Sequence, residues 1–183
     1  MRVIAGSAKG VRLAPVPPGV RPVSDRAREG LFSSLGQTVR DAVTLDLYSG
    51  TGALGIEALS RGAARSTFVE RSRSALAVLR ENLARTRLDD RADVVASEVA
   101  RFLMRDDDGG RTFHLVLADP PYDAAPEEVD SVLASLAGGW LRSGWAVALT
   151  RRRGSSMPVI PVDWAVARRL EYGDTAVLIF REA

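Results

Sequence analysis

Asp46-Leu47-Tyr48-Ser49-Gly50-Thr51-Gly52-Ala53-Leu54-Gly55 continues from Val43-Thr44-Leu45 and decides how this chain folds. A strand over 43–48 breaks at closely spaced glycines and resumes as a helix over 53–61. Gly50, Gly52 and Gly55 satisfy the spacing of a dinucleotide-binding turn, where backbone approaches a ligand because no Cβ intervenes. Glu70 ends the next strand, 20 residues beyond Gly50, where a carboxylate for ribose hydroxyls belongs. On spacing alone, a nicotinamide or flavin enzyme is one reading. Asp46 favours another. It stands four residues ahead of Gly50, at the strand end where a pyrophosphate would meet a like charge. S-adenosylmethionine carries a sulfonium, an amine and an adenosine but no phosphate, so an acid there suits it.

Outward from this turn, short apolar strands alternate with amphipathic helices. Strands are expected over 67–70, 94–96, 115–118 and 146–150, with helices over 72–87, 99–105 and 126–137 between them. That alternation means an α/β, Rossmann-like, mostly parallel sheet with right-handed crossovers. Residues 164–172 and 175–181 read as strands joined across Gly173-Asp174, so the seven-stranded sheet finishes with an antiparallel strand. Ahead of the main unit lies a small extension over 1–36. Residues 2–5 and 11–14 form an expected hairpin, and Pro15, Pro17, Pro18 and Pro22 an extended linker. A helix starts behind Ser24 as its cap, buries Ala27, Leu31 and Leu35, keeps Arg26 and Arg28 off that face, and stops at Gly36. Residues 37–183 form the main domain.

The strand Leu115-Val116-Leu117-Ala118 runs into Asp119-Pro120-Pro121-Tyr122. Two prolines cannot donate to a sheet ladder, so the strand stops in a rigid loop. The loop offers a carboxylate and undonated carbonyls as acceptors and a ring as a stacking face. Those parts suit a planar ring bearing an exocyclic amine, such as a nucleobase. The same tetrapeptide also suits a plain strand-terminating turn. Both loops fall at carboxyl ends of parallel strands, where open α/β sheets bind ligands. Together they make a site for moving a methyl group onto an NH₂.

Composition narrows the choice. The chain has 183 residues, 46% hydrophobic and 26% charged, as expected of one soluble domain. It has no cysteine, which excludes disulfides, zinc–thiolate sites and methylation through a cysteine adduct. Its one histidine, His114, opens an apolar strand and reads as structural; a multi-histidine metal site is excluded and no metal is expected. No run is long enough to cross a membrane, and Met1 to Gly6 lacks a signal-peptide core, so a cytoplasmic location is expected. The net charge of +2 is uneven. Arg2, Lys9, Arg12, Arg21, Arg26 and Arg28 face only Asp25 within residues 1–28, a local +5 that suits phosphate. Arg151-Arg152-Arg153 either contacts phosphate or caps a loop, and Asp106-Asp107-Asp108 reads as a solvated loop.

With these motifs the chain resembles class I S-adenosylmethionine-dependent methyltransferases, and more closely the bacterial RsmD family. The resemblance rests on Arg2 to Gly6, Arg21-Pro22-Val23-Ser24-Asp25-Arg26-Ala27-Arg28-Glu29 with Leu31-Phe32, Asp46 to Gly52, Asp119 to Tyr122, and Tyr172-Gly173-Asp174-Thr175. It spans nearly the whole chain. It implies methylation of N2 of one guanine in 16S ribosomal RNA, within the 30S subunit or an assembly intermediate; a monomer is the default expectation. It places Asp46, Gly50 and Gly52 at the methionine end of the cofactor and Glu70 on the ribose. Tyr48, Ser49, Thr51 and Arg71 complete that set. Ser97-Glu98 takes the adenine position, where the family more often shows a small residue and Asp. Asp119 and Pro120 would hold the guanine amine beside Pro121, and Tyr122 would stack on the flipped base. A DNA adenine-N6 methyltransferase shares both motifs, although no insertion here has room for a target-recognition region. A protein-glutamine methyltransferase would prefer Asn at 119. A non-catalytic RNA-binding assembly factor is the alternative outside enzymes.

Overall fold

The computed structural model describes residues 1–17, 22–104 and 112–183. Arg21 and the Asp106-Asp107-Asp108 triplet therefore lie outside the described residues. After α1 (Asp25–Leu35) come β1 (Val43–Leu47), α2 (Ala53–Ser60), β2 (Arg65–Glu70), α3 (Arg73–Thr86) and β3 (Ala92–Ala96). Then follow α4 (Val99–Leu103), β4 (Phe113–Ala118), α5 (Pro126–Ala137), β5 (Leu141–Arg152), β6 (Trp164–Tyr172) and β7 (Thr175–Glu182). The seven strands form one sheet in the order β3-β2-β1-β4-β5-β7-β6. Only β7 runs antiparallel, inserted between β5 and β6. The chain winds from β1 outward through β2 to β3, then crosses back to place β4 on the other side of β1. That reversal creates a switch point between the carboxyl ends of β1 and β4.

Local chemistry accounts for the elements. The Ser24 hydroxyl accepts the Ala27 N–H at 3.2 Å and caps α1, whose Ala27, Leu31 and Leu35 are buried as their four-residue spacing predicts. Ser72 caps α3 in the same way through the Ala75 N–H. Two apolar layers cover the sheet. One gathers Leu31, Phe32, Ile56, Leu79 and Leu115, the other Leu47, Val116, Leu133, Leu149 and Phe180. His114 is structural, its Nδ1 accepting the Val43 N–H at 3.0 Å. β5 starts at Leu141, five residues earlier than its apolar stretch indicates, pairing with Phe113 across a bulge. The polar Arg142-Ser143-Gly144 concealed that part.

The N-terminal segment departs from expectation in two ways. Its hairpin forms but is short: one antiparallel bridge, Arg2 with Arg12, is flanked by bonds from the Val3, Gly10 and Leu13 N–H groups to the carbonyls of Val11, Val3 and Met1. Its remaining donors are taken up by α2: Ile4 and Ala5 N–H donate to the Glu57 carboxylate at 2.9 and 3.1 Å, and Ala8 N–H to the Ser60 hydroxyl. A Cβ on Gly6 would lie 1.8 Å from the Ser60 carbonyl oxygen, so the approach requires glycine.

The second departure is Arg28, expected on an exposed nucleic-acid face but fully buried. The buried stripe of α1 is wider than the four-residue spacing implies and takes in Phe32 as well. The Arg28 guanidinium donates to the Arg2 carbonyl and pairs with Asp25 at 2.9 Å and Glu57 at 3.8 Å. Burial lowers its pKa although Glu57 and Asp25 oppose the shift. Removing one partner from a buried pair costs about 3–5 kcal/mol. Glu57→Ala should therefore lower Tm by roughly 6–20 °C in a circular-dichroism melt. A drop under about 2 °C would contradict the anchoring role.

Candidate active site

β1 and β4 lie side by side in register, Leu47 opposite Ala118, and the Asp119 N–H donates to the Leu47 carbonyl at 3.3 Å. The glycine loop and the Asp-Pro-Pro-Tyr loop consequently leave the same sheet edge as neighbours. Between them opens a cavity of about 1130 Å³. Asp46, Tyr48, Ser49, Gly50, Thr51, Glu70, Arg71, Ser97, Glu98 and the whole stretch Asp119 to Tyr122 line it. Pro22 and Val23, just before α1, also reach its wall. Gly52 does not. It occupies the α2 N-cap at φ 84°, where a Cβ would stand 2.2 Å from Leu79 Cδ1. Its missing Cβ lets the loop close over Leu79.

The loop carries conformational strain and an unmet hydroxyl. Tyr48 sits at φ 57°, in the left-handed region that a side chain rarely adopts, at a cost on the order of 1–3 kcal/mol. Its hydroxyl donates to Glu128 of α5 at 3.0 Å, spanning the cavity mouth. Desolvation and that bond hold the phenol in its protonated form. The Ser49 hydroxyl is buried without a hydrogen-bond partner among the described residues. Such an orphan costs about 1–3 kcal/mol, which a polar ligand group in the cavity would recover.

Glu70 is held rigidly. Its carboxylate accepts N–H bonds from Gly50, Arg71 and Ser72 at 2.8, 2.8 and 2.7 Å. Of about four acceptor sites on a carboxylate, three are engaged and one is left for an outside hydroxyl. At the far end the Ser97 hydroxyl donates to the Glu98 carbonyl, and Glu98 pairs with Arg71 at 3.2 Å across largely exposed side chains. An exposed pair of that kind contributes little stability and yields readily to a ligand.

Asp46 lies beneath the glycine loop, its Oδ2 accepting the Gly55 N–H at 2.8 Å. A Cβ on Gly55 would approach that oxygen to 2.9 Å and Phe68 to 2.3 Å, which explains the third glycine. Burial pushes Asp46 up to about 8; the Gly55 N–H opposes the rise, and Asp119 and Glu70 add to it. Asp119 is pushed up to about 6 by burial, against the hydroxyl of Thr150, which donates to its Oδ1. Tyr122 shares a 2.8 Å hydrogen bond with the Thr175 hydroxyl. Thr150, Thr175 and Glu128 escaped the sequence analysis because their contacts cross between distant elements; only Thr175 stood within a noted motif.

The donor set fits S-adenosylmethionine. A buried acid beneath the loop suits a cation, an anchored carboxylate keeps an acceptor site for a hydroxyl, and an orphaned hydroxyl faces a polar group. Among the described residues no cluster of His, Asp or Glu could hold a metal, and no helix is long and apolar enough to cross a membrane. Of the basic candidates, Arg2, Lys9, Arg12 and Arg26 are exposed and stand apart from the cavity lining. Arg151 is buried, and Arg153 pairs with Glu171 at 3.0 Å.

Comparison with known proteins places this arrangement. A family model described as conserved hypothetical protein 95 matches residues 1–181. Ribosomal RNA small subunit methyltransferase D of Escherichia coli K12 is 36% identical over all of this chain and 91% of its own length. The solved structure of YhhF from Escherichia coli is 34% identical, with a TM-score of 0.87 over 100% of this chain and 97% of that one. A solved hypothetical protein from Thermus thermophilus is 32% identical with a TM-score of 0.83, covering 98% of both chains. A more distant structure complexed with SAH, 12% identical over 81% of this chain, shares the fold at a TM-score of 0.66. Matched along its full length by relatives at this identity, the chain belongs to the RsmD family of ribosomal RNA methyltransferases.

Proposed function

We propose that the chain transfers a methyl group from S-adenosylmethionine to the exocyclic N2 amine of a guanine in 16S ribosomal RNA. The observation that carries this reading is the pairing of β1 with β4, which sets the Asp119 loop beside the glycine loop. When bound, S-adenosylmethionine supplies a methyl carbon made electrophilic by the sulfonium. Asp46 would balance its positive charge, Glu70 would accept from a ribose hydroxyl, and Ser97-Glu98 would border the adenine. Asp119 and the Pro120 carbonyl accept from the two protons of the guanine amine. That directs the nitrogen lone pair, otherwise delocalised into the ring, at the methyl carbon. That nitrogen would accept the methyl group, with S-adenosylhomocysteine as the leaving product. The surplus proton leaves the amine afterwards, to Asp119 or water. Tyr122 stacks on the base once it has left its own stack, which costs less in an RNA loop than in a duplex. Positioning of this kind is worth up to roughly 7–11 kcal/mol.

Arg2 and Arg12, paired across the bridge, and Arg26 at the start of α1 form the phosphate-facing group in this reading. Arg12→Ala with Arg26→Ala should weaken RNA binding about equally for all sequences. The double variant should also flatten the salt dependence of log K by about 1 to 2, close to 0.7–0.9 per lost phosphate contact. Filter binding across a salt series measures it; an unchanged slope removes these arginines from the interface.

Transfer of labelled methyl to 30S subunits, free 16S RNA and duplex DNA tests the function itself. The proposal requires labelled RNA. Label in DNA alone would assign the adenine-N6 alternative, and none in any acceptor the non-catalytic one.

A further inference from the structure

The terminal motif Tyr172-Gly173-Asp174-Thr175 takes no part in cofactor or phosphate chemistry, yet it reaches the active site. β5 and β7 pair antiparallel with Thr150 opposite Val177 and Arg152 opposite Thr175. Thr150 and Thr175 thus stand two rungs apart on one face of the sheet, both buried. The Thr150 hydroxyl donates to Asp119, the first residue of the Asp-Pro-Pro-Tyr loop, and the Thr175 hydroxyl bonds Tyr122, the last. The turn bearing Thr175 is itself fixed: the Arg153 N–H donates to the Asp174 carbonyl at 2.7 Å. Tyr172 packs so tightly on α1 that a Cβ at Gly30 would fall 1.8 Å from its hydroxyl.

We propose that Thr150 and Thr175 are positioning residues that clamp the two ends of the Asp-Pro-Pro-Tyr loop, so that the β5–β7 pair sets the orientation of the amine-gripping carboxylate and the stacking ring. Thr150 engages one oxygen of Asp119 and leaves the other for the amine. Thr175 holds the phenol end of Tyr122, which fixes the plane its ring presents. Pro120 and Pro121 stiffen the span between, so the two anchors define the loop. Strands hold such anchors more firmly than loops can. What the loop grips rests on the function proposed above; the clamp itself does not.

The test uses Thr150→Val, Thr175→Val, Tyr122→Phe and the double variant Thr175→Val with Tyr122→Phe. Thr150→Val should lower kcat roughly ten- to hundredfold, as for a lost hydrogen bond to a charged group. It should also move the acidic limb of the pH profile upward, because the bond that favours the ionised carboxylate is gone. Asp46 on β1, Glu70 on β2, Glu98 beyond β3, Asp123 beside Tyr122 and Glu128 on α5 are the other carboxyls lining the cavity, and Arg151 follows Thr150 on β5; all are unchanged in the variant. Thr150→Ser should restore most activity, and cofactor affinity by calorimetry should stay within about threefold. Thr175→Val and Tyr122→Phe remove one shared bond, so the double variant should be no worse than the weaker single. Multiplying losses, or a Thr150→Val enzyme at wild-type kcat and pH profile, would overturn the clamp. If the wild type methylates no RNA, the proposed function falls, and the same cycle read on Tm still decides the clamp: coupled effects uphold it and additive ones overturn it.

Discussion

Asp119→Ala is expected to abolish methyl transfer while S-adenosylmethionine still binds within about threefold of wild type. The carboxylate belongs to the acceptor side of the cavity: its oxygen is tied to Thr150 on β5, whereas Asp46 and Glu70 serve the glycine loop. Losing a fixed acceptor that orients a weakly nucleophilic amine should cost about a thousandfold or more in kcat. Asp119→Asn is the finer probe. Its amide oxygen can still accept one amine proton, so activity should fall less than in Asp119→Ala. Single-turnover transfer with calorimetric cofactor titration separates the two steps. Normal turnover in Asp119→Ala would dismiss this account of the site.

Asp46→Asn should produce opposite effects on stability and binding. The folded Asp46 carboxyl keeps its proton up to about pH 8, whereas an unfolded Asp gives it up near pH 4. Between those values the folded state holds the extra proton, so this group's contribution to stability falls as pH rises through the window. Asn satisfies the Gly55 N–H without titrating. The variant should therefore match wild type near pH 4 and melt at least about 3 °C higher at pH 8.5. Cofactor affinity should drop roughly ten- to hundredfold, since the counter-charge to a cation is gone. In the wild type, affinity should rise with pH toward 8 with proton release on binding. A variant less stable at pH 8.5, or one with undiminished affinity, contradicts the role given to Asp46.

The parallel sheet and both site loops were legible because each is written locally. Glycine spacing marks the β1–α2 turn, consecutive prolines end β4, and the β6–β7 turn needs Gly173 at φ 61°. Ser24 declares its helix through a single side-chain bond, and Ser72, read as the first residue of a helix, proves to cap it in the same way. Contacts between distant elements were hidden. Arg28 reads as one more exposed arginine until Glu57, 29 residues away, is seen to bury with it. Thr150 and Thr175 are ordinary strand residues until the insertion of β7 beside β5 aims them at one loop. The strain at Tyr48 leaves no mark in composition, because nothing in a tyrosine announces a positive φ. Gly52 carries a second demand that its motif does not show: its missing Cβ makes room for Leu79.

The measurement closest to the central claim is the identity of the methylated nucleoside. Unmethylated 30S subunits and free 16S RNA would be incubated with the protein and labelled S-adenosylmethionine, digested to nucleosides and resolved by mass. The account predicts N2-methylguanosine as the labelled product, lost in Asp119→Ala. A methyl group on adenine N6, on a ribose, or on any ring carbon would contradict it.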